Sequence, residues 1–144
     1  AGSPNEASTV YRAALRAREI IRRLLVELAE GSASAGAVAD FNRILAPVLQ
    51  HLRVRPLDAV PHLQLGWEEE ENTLDSVLWP VLWSAASLVS SDEASRIRVC
   101  ASEDCGWMYV DRSRNGLRRW CQMESCGTRE KTRRRRRGGT EGTR

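Results

Sequence analysis

Cysteine occurs at four positions in this 144-residue chain, Cys100, Cys105, Cys121 and Cys126, and nowhere else. The pattern is C-x4-C, fifteen residues, then C-x4-C. Two close pairs joined by a short insert suit one tetrahedral four-thiolate site. Each pair supplies two ligands from one turn, and the insert lets the turns face each other. The expectation is one structural Zn2+, with buried free thiols or a disulfide as the alternatives. A four-sulfur shell leaves zinc no open position for water, which argues against a catalytic metal.

Charge divides the chain at about the same place. Residues 96–144 carry 14 Lys/Arg against 6 Asp/Glu, whereas residues 1–95 carry 8 against 13. A basic head on an acidic body predicts a polyanionic partner for the head alone. No run of eighteen apolar residues exists, so no membrane span is predicted, and Ala1 to Ser8 lacks a signal-peptide pattern. A soluble protein of a reducing compartment is expected, where paired cysteines are read as metal sites before disulfides. The opening Ala1-Gly2-Ser3-Pro4 reads as an expression scar or cut end. No Ser/His/Asp set, H-E-x-x-H or phosphate-loop glycine pattern is present, so no enzymatic activity is expected.

Upstream of the cysteines the apolar spacing is helical. Val10, Ala13, Ala14, Ala17, Ile20, Ile21, Leu24, Leu25 and Leu28 recur at three and four residues, predicting a helix over Ala7 to Glu30. After the Gly31–Gly36 linker, Val38, Phe41, Ile44, Leu45, Val48, Leu49 and Leu52 mark a second helix, capped near Ser34 or Gly36 and disturbed at Pro47. Val54 to Leu57 and His62 to Trp67 read as two short strands joined through Asp58 to Pro61. Glu68 to Glu71 is a solvated run, and Leu74 to Ser90 a third helix with a kink at Pro80. Trp79 and Trp83 lie four apart on that helix, near the strand end at Trp67. Core packing accounts for such spacing best, and a small-molecule effector pocket is the alternative.

Within the cysteine region, Val99 to Gly106 reads as a zinc knuckle. Trp107 to Val110 reads as a strand returning through an Asn115-Gly116 turn as Leu117 to Cys121. Trp107 and Trp120 are expected to pack across this hairpin and shield the thiolates. A helix should open at Cys126-Gly127 and run to about Arg137, its N-terminal N–H groups favouring a thiolate. Knuckle, hairpin and ligand-bearing helix together describe a treble-clef-like finger. The fold class is therefore mainly α with a small β-hairpin (α+β). Its expected divisions are a helical domain over 1–93, the finger over 94–137, and a disordered tail over 138–144.

The string C-A-x3-C-x-W-x-Y-x-D-x-S-R-N-x2-R-R-W-C-x-M-x2-C-G-T-R-x-K, from Cys100 to Lys131, resembles the CGNR-type zinc finger of bacteria. The one naming residue that departs is Thr128, which stands where that finger has Asn. Thr keeps a hydroxyl but lacks the amide's paired donor and acceptor. More loosely, the preceding region resembles an ABATE domain through its first helix, R-V-R-P-L and W-S-A-A. ABATE domains begin with a further segment, so the resemblance implies a chain shortened at its N-terminus. It also implies a bacterial, cytoplasmic transcription regulator that binds duplex DNA. RNA or a protein is the alternative partner for the finger, and the helical domain would sense a signal or form a homodimer.

Independently of that resemblance, Arg112, Arg114, Arg118, Arg119, Arg129, Lys131, Arg133 and Arg134 lie on the expected hairpin and helix, with Arg135 to Arg137 following. Guanidinium forks suit phosphates and guanine edges. Ser113 and Asn115 at the hairpin tip are the short polar groups placed for more specific contacts.

Overall fold

The computed structural model describes residues 4–57, 62–67 and 73–138. The opening residues 1–3, the 58–61 link, the Glu68–Glu71 run and the tail beyond Gly138 lie outside the described residues. The elements are mainly helical with two small antiparallel sheets. Two compact units result, one built on residues up to Leu24 together with Ala33–Ser91, the other on Leu25–Ser32 together with Asp92 onward.

Helices α1 (Pro4–Ala29), which lies in the first unit up to Leu24, and α2 (Ala35–Leu49) follow from the apolar spacing. The buried residues repeat every two turns, Ala17 with Leu24 on α1 and Phe41 with Val48 on α2. Ser34 caps α2, its hydroxyl accepting from the Ala37 N–H at 3.1 Å. The carboxylate of Asp40 receives Arg23 of α1 and Arg43 of its own helix, each at 2.5 Å. Strands β1 (Leu52–Pro56) and β2 (Leu63–Trp67) pair antiparallel, Val54 opposite Leu65, as the sequence predicts.

The third helix departs from expectation. Leu74–Leu78 is a 3₁₀ turn, and α3 runs only from Trp79 to Val89. Pro80 therefore opens the α-helix instead of kinking one. Its missing N–H costs nothing in the first turn, where no intrahelical acceptor awaits it. Trp79 (3% exposed) and Leu82 (4%) complete the core. The Trp79 ring stacks on His51 at 4.0 Å between centroids, with Trp67 tilted against it at 5.9 Å.

In the second unit a 3₁₀ turn (Asp92–Arg96) leads into β3 (Ile97–Val99), followed by β4 (Met108–Val110). A π turn (Met123–Gly127) then runs into α4 (Thr128–Gly138). Gly138 thus ends a helix and does not start the tail. The partner of β4 is also not the one expected, because it pairs with β3 and not with Leu117 to Cys121. The returning segment stays outside any strand, and a buried carboxylate, described below, holds the Arg118 N–H near its start.

Candidate metal centre

The β3–β4 pairing makes the knuckle the closed end of a hairpin. Ile97 lies opposite Val110 and Val99 opposite Met108, so Cys100 leaves the sheet as the turn begins. The Cys100 N–H donates to the Trp107 carbonyl at 2.8 Å, and the Cys105 N–H to the Ser102 carbonyl at 3.0 Å. Gly106 has φ +60°, a left-handed conformation that glycine adopts without steric cost. That turn brings the Trp107 backbone back to Cys100 while its ring stands 67% exposed. The expectation that Trp107 shields the thiolates is therefore corrected. Trp120 is half-buried, with the Arg119 guanidinium over its ring at 5.5 Å.

The second cysteine pair is positioned by Asp111, which is fully buried. One carboxylate oxygen accepts from the Ser113 N–H at 2.9 Å and the Ser113 hydroxyl at 2.6 Å. The other accepts from the Arg118 N–H at 3.0 Å. The carboxylate thus spans the whole Arg112–Leu117 turn. The Ser113 hydroxyl, aided by the backbone donors and against the effect of burial, holds the Asp111 carboxyl below its ordinary value. Gly116 closes the turn at φ +62°. The Arg119 carbonyl then accepts from the Ala101 N–H at 2.9 Å, which sets the loop carrying Cys121 against the knuckle.

The four sulfur atoms converge within 4.8 Å of one another. Cys121 Sγ lies 3.7 Å from Cys105 Sγ and 3.7 Å from Cys126 Sγ. For zinc–sulfur bonds of about 2.3 Å, a regular tetrahedron has sulfur–sulfur edges of about 3.8 Å. The donor set therefore fits zinc in element, number and spacing. Cys100 and Cys126 are buried, and Cys105 and Cys121 half-buried.

The protonation of the thiols also suits a cation at their centre. Burial pushes the Cys100 thiol up, but backbone N–H groups of Cys121 and Ser102, with the neighbouring thiols, outweigh it and bring it down to about 7. The Cys121 N–H sits 3.4 Å from that sulfur. Burial and the other three thiols push Cys121 up to about 12. At Cys105 the Trp107 N–H and the Cys121 thiol lower the pKa, but burial and the Cys126 and Cys100 thiols leave it raised. Four adjacent thiolates repel one another, and a divalent ion is what lets all of them ionise.

The finger carries supports that span too many residues for sequence spacing to show. Buried Ser102 donates to Glu130 of α4 at 3.0 Å. Arg133 of α4 reaches Glu103 and Asp104 of the knuckle, each at 2.5 Å, and Glu130 at 3.4 Å. These contacts latch α4 to the first cysteine pair. The one local signal was Asp111-x-Ser113 before Asn115-Gly116, a pattern typical of a side-chain-capped turn.

Several residues expected to meet nucleic acid also carry contacts within the finger, Arg112, Ser113 and Arg118 while remaining exposed and Arg133 while half-buried. Arg112 forms a two-pronged pair with Glu93 at 2.6 and 3.0 Å. Arg118 donates to the carbonyls of Trp120 (2.8 Å) and Cys121, with its guanidinium 4.6 Å from the Tyr109 ring centroid. Arg133 is the latch just described, and the Ser113 proton goes to Asp111. Arg114, Asn115, Arg119, Arg129, Lys131 and Arg134 are exposed. Thr128, standing in for Asn, donates its hydroxyl to the Met123 carbonyl at 3.2 Å and so joins the π turn to α4. Of the three upstream tryptophans, Trp79 lines a groove of about 420 Å³ with Ala17, Val48 and Leu82, whereas Trp67 and Trp83 are not among its lining residues.

A helical unit accompanied by a closed four-thiolate finger defines a zinc-finger protein whose metal is structural. Residues 96–137 match the CGNR zinc finger, and residues 1–92 match ABATE, described as "Putative stress-induced transcription regulator". The chain belongs to the ABATE family and carries a CGNR finger after that domain. No curated protein matches the chain. Among the described residues no helix is long and apolar enough to cross a membrane.

Proposed function

We propose that this protein is a bacterial, cytoplasmic transcription regulator whose zinc-ordered finger holds duplex DNA, without a catalytic step. The observation that carries the reading is the pairing of charges within the finger. Its acids Glu103, Asp104 and Glu130 are engaged by Arg133, and Glu93 by Arg112. Arg114, Arg119, Arg129, Lys131 and Arg134 are exposed alongside the exposed acid Glu124, so the net outward charge is cationic. Guanidinium groups on a metal-rigidified surface suit phosphates at fixed spacing. Zinc in this reading does no chemistry beyond holding the backbone.

Fluorescence anisotropy with labelled duplex DNA and zinc-loaded protein tests it. Five phosphate contacts give a log–log salt slope of roughly −4 to −5, so affinity should fall several hundredfold, roughly, between 50 and 200 mM salt. Absence of binding at low salt refutes the reading. Binding to structured RNA that duplex DNA cannot compete away moves the function to RNA.

A second reading, that the helical unit takes a small-molecule effector, is favoured by the Trp79 groove. Its volume and apolar floor match those of ligand sites. Thermal shift against a metabolite panel tests it, because a ligand bound by the folded state alone raises stability with concentration.

A further inference from the structure

Trp107 is the one exposed tryptophan among the described residues, and it sits two residues from a metal ligand. Trp107 lines a cleft of about 520 Å³ together with Arg118, Gln122, Ser125 and three of the metal-site cysteines, so the cleft adjoins the position the zinc takes. The walls are held in place from behind. The Arg118 guanidinium is anchored on the Trp120 and Cys121 carbonyls, so it offers a positive wall without being ordered by a ligand. Ser125 donates its proton to the side-chain amide oxygen (Oε1) of Gln122 at 3.2 Å. That bond fixes the Gln122 amide as a donor and the Ser125 oxygen as an acceptor.

We propose that this cleft receives an unpaired nucleobase, stacked on Trp107 and met at its edge by Gln122 and Ser125. The inference rests on nucleic-acid binding by the finger and adds what the finger reads. A flat π system with polar edges, tethered to phosphates, matches an aromatic face among amide, hydroxyl and guanidinium groups. The exposed guanidinium groups of the finger suit the phosphates on either side of that base. Bases inside a paired duplex do not present their faces, so the ligand comes from a single strand, a bulge or an extruded position.

The test uses the zinc-loaded full chain and three labelled probes of one sequence: paired duplex, the same duplex with one bulged thymine, and single strand. Trp107→Ala should bind the probes carrying unpaired bases about tenfold to a hundredfold more weakly, with the paired duplex changed less than about threefold. Trp107→Phe should keep most of the affinity but lose the fluorescence quenching that wild type shows on those probes. The bulged and single-stranded arms tell which source supplies the base. Unchanged affinity in Trp107→Ala, or an equal loss on all three probes, overturns the base site while salt-dependent wild-type binding keeps the DNA reading intact. Wild type binding no probe overturns both. Should Trp107→Ala lose zinc, the quenching difference between wild type and Trp107→Phe decides, and its absence overturns the proposal.

Discussion

Replacing Cys126 with serine removes one of four converging thiolates and tests whether the finger is held by metal. Among the described residues beyond Asp92, Ile97 is the only buried aliphatic side chain. Its burial contributes roughly 1.5–3 kcal/mol. A structural zinc contributes about 10–16 kcal/mol in comparable peptides. The metal term exceeds the apolar one about fivefold, so its loss should unfold the finger and spare the helical unit. Helix α4 has 11 residues against 26, 15 and 11 in α1 to α3, so far-UV circular dichroism should lose about one-sixth of its helical signal. Trypsin should then cut within Arg112 to Arg119, and zinc content should fall from one per chain to near zero. A Cys126→Ser protein that keeps one zinc and the wild-type cleavage pattern would refute the argument. So would chelator-stripped wild type with unchanged tryptophan emission.

Trp79→Ala should cost the helical unit about 3–5 kcal/mol in urea unfolding and leave zinc content unchanged. A loss under about 1 kcal/mol would remove Trp79 from the core. The hydrogen bond from Arg43, then that from Arg23, holds the Asp40 carboxyl below its ordinary value of 3.8. The folded state therefore binds this proton less readily than the unfolded one. The contribution is present above that ordinary value and lost as pH falls through the lower, folded value. Asp40→Asn should accordingly show a shallower acid loss of urea midpoint, and identical slopes would discount the pair. A Cβ at Gly127 would stand 2.5 Å from Met123 Sδ. That sulfur ends a flexible, exposed side chain that can turn aside, so Gly127→Ala should keep one zinc per chain, and metal analysis showing zinc loss would mean that Met123 cannot move.

Much of the helical unit is legible in the sequence because three- and four-residue apolar spacing records which face is buried. Ala17, Leu24, Phe41 and Val48 lie on those predicted faces, and Ser34 is the expected cap. The cysteine cluster is legible for a different reason, since metal geometry imposes ligand type and spacing directly. The partner of β4 is not legible in the sequence, because Asn115-Gly116 signals a turn but not what the following residues bond to. Asp111 decides that by taking the Arg118 N–H.

Residue order alone determined that four thiolates gather around one ion and that the basic charge collects beside them. Both depend on residue type and local spacing. Tertiary structure alone decided which arginines face outward. Arg133 looks equivalent to Arg134 along the chain, yet it is half-buried and turned to Glu103 and Asp104, which the fold brings close. The fold likewise left Trp107 in solvent. The physical reason is the same in each case, because a side chain's partner is fixed by distance through space, and here those partners lie up to 30 residues away in sequence.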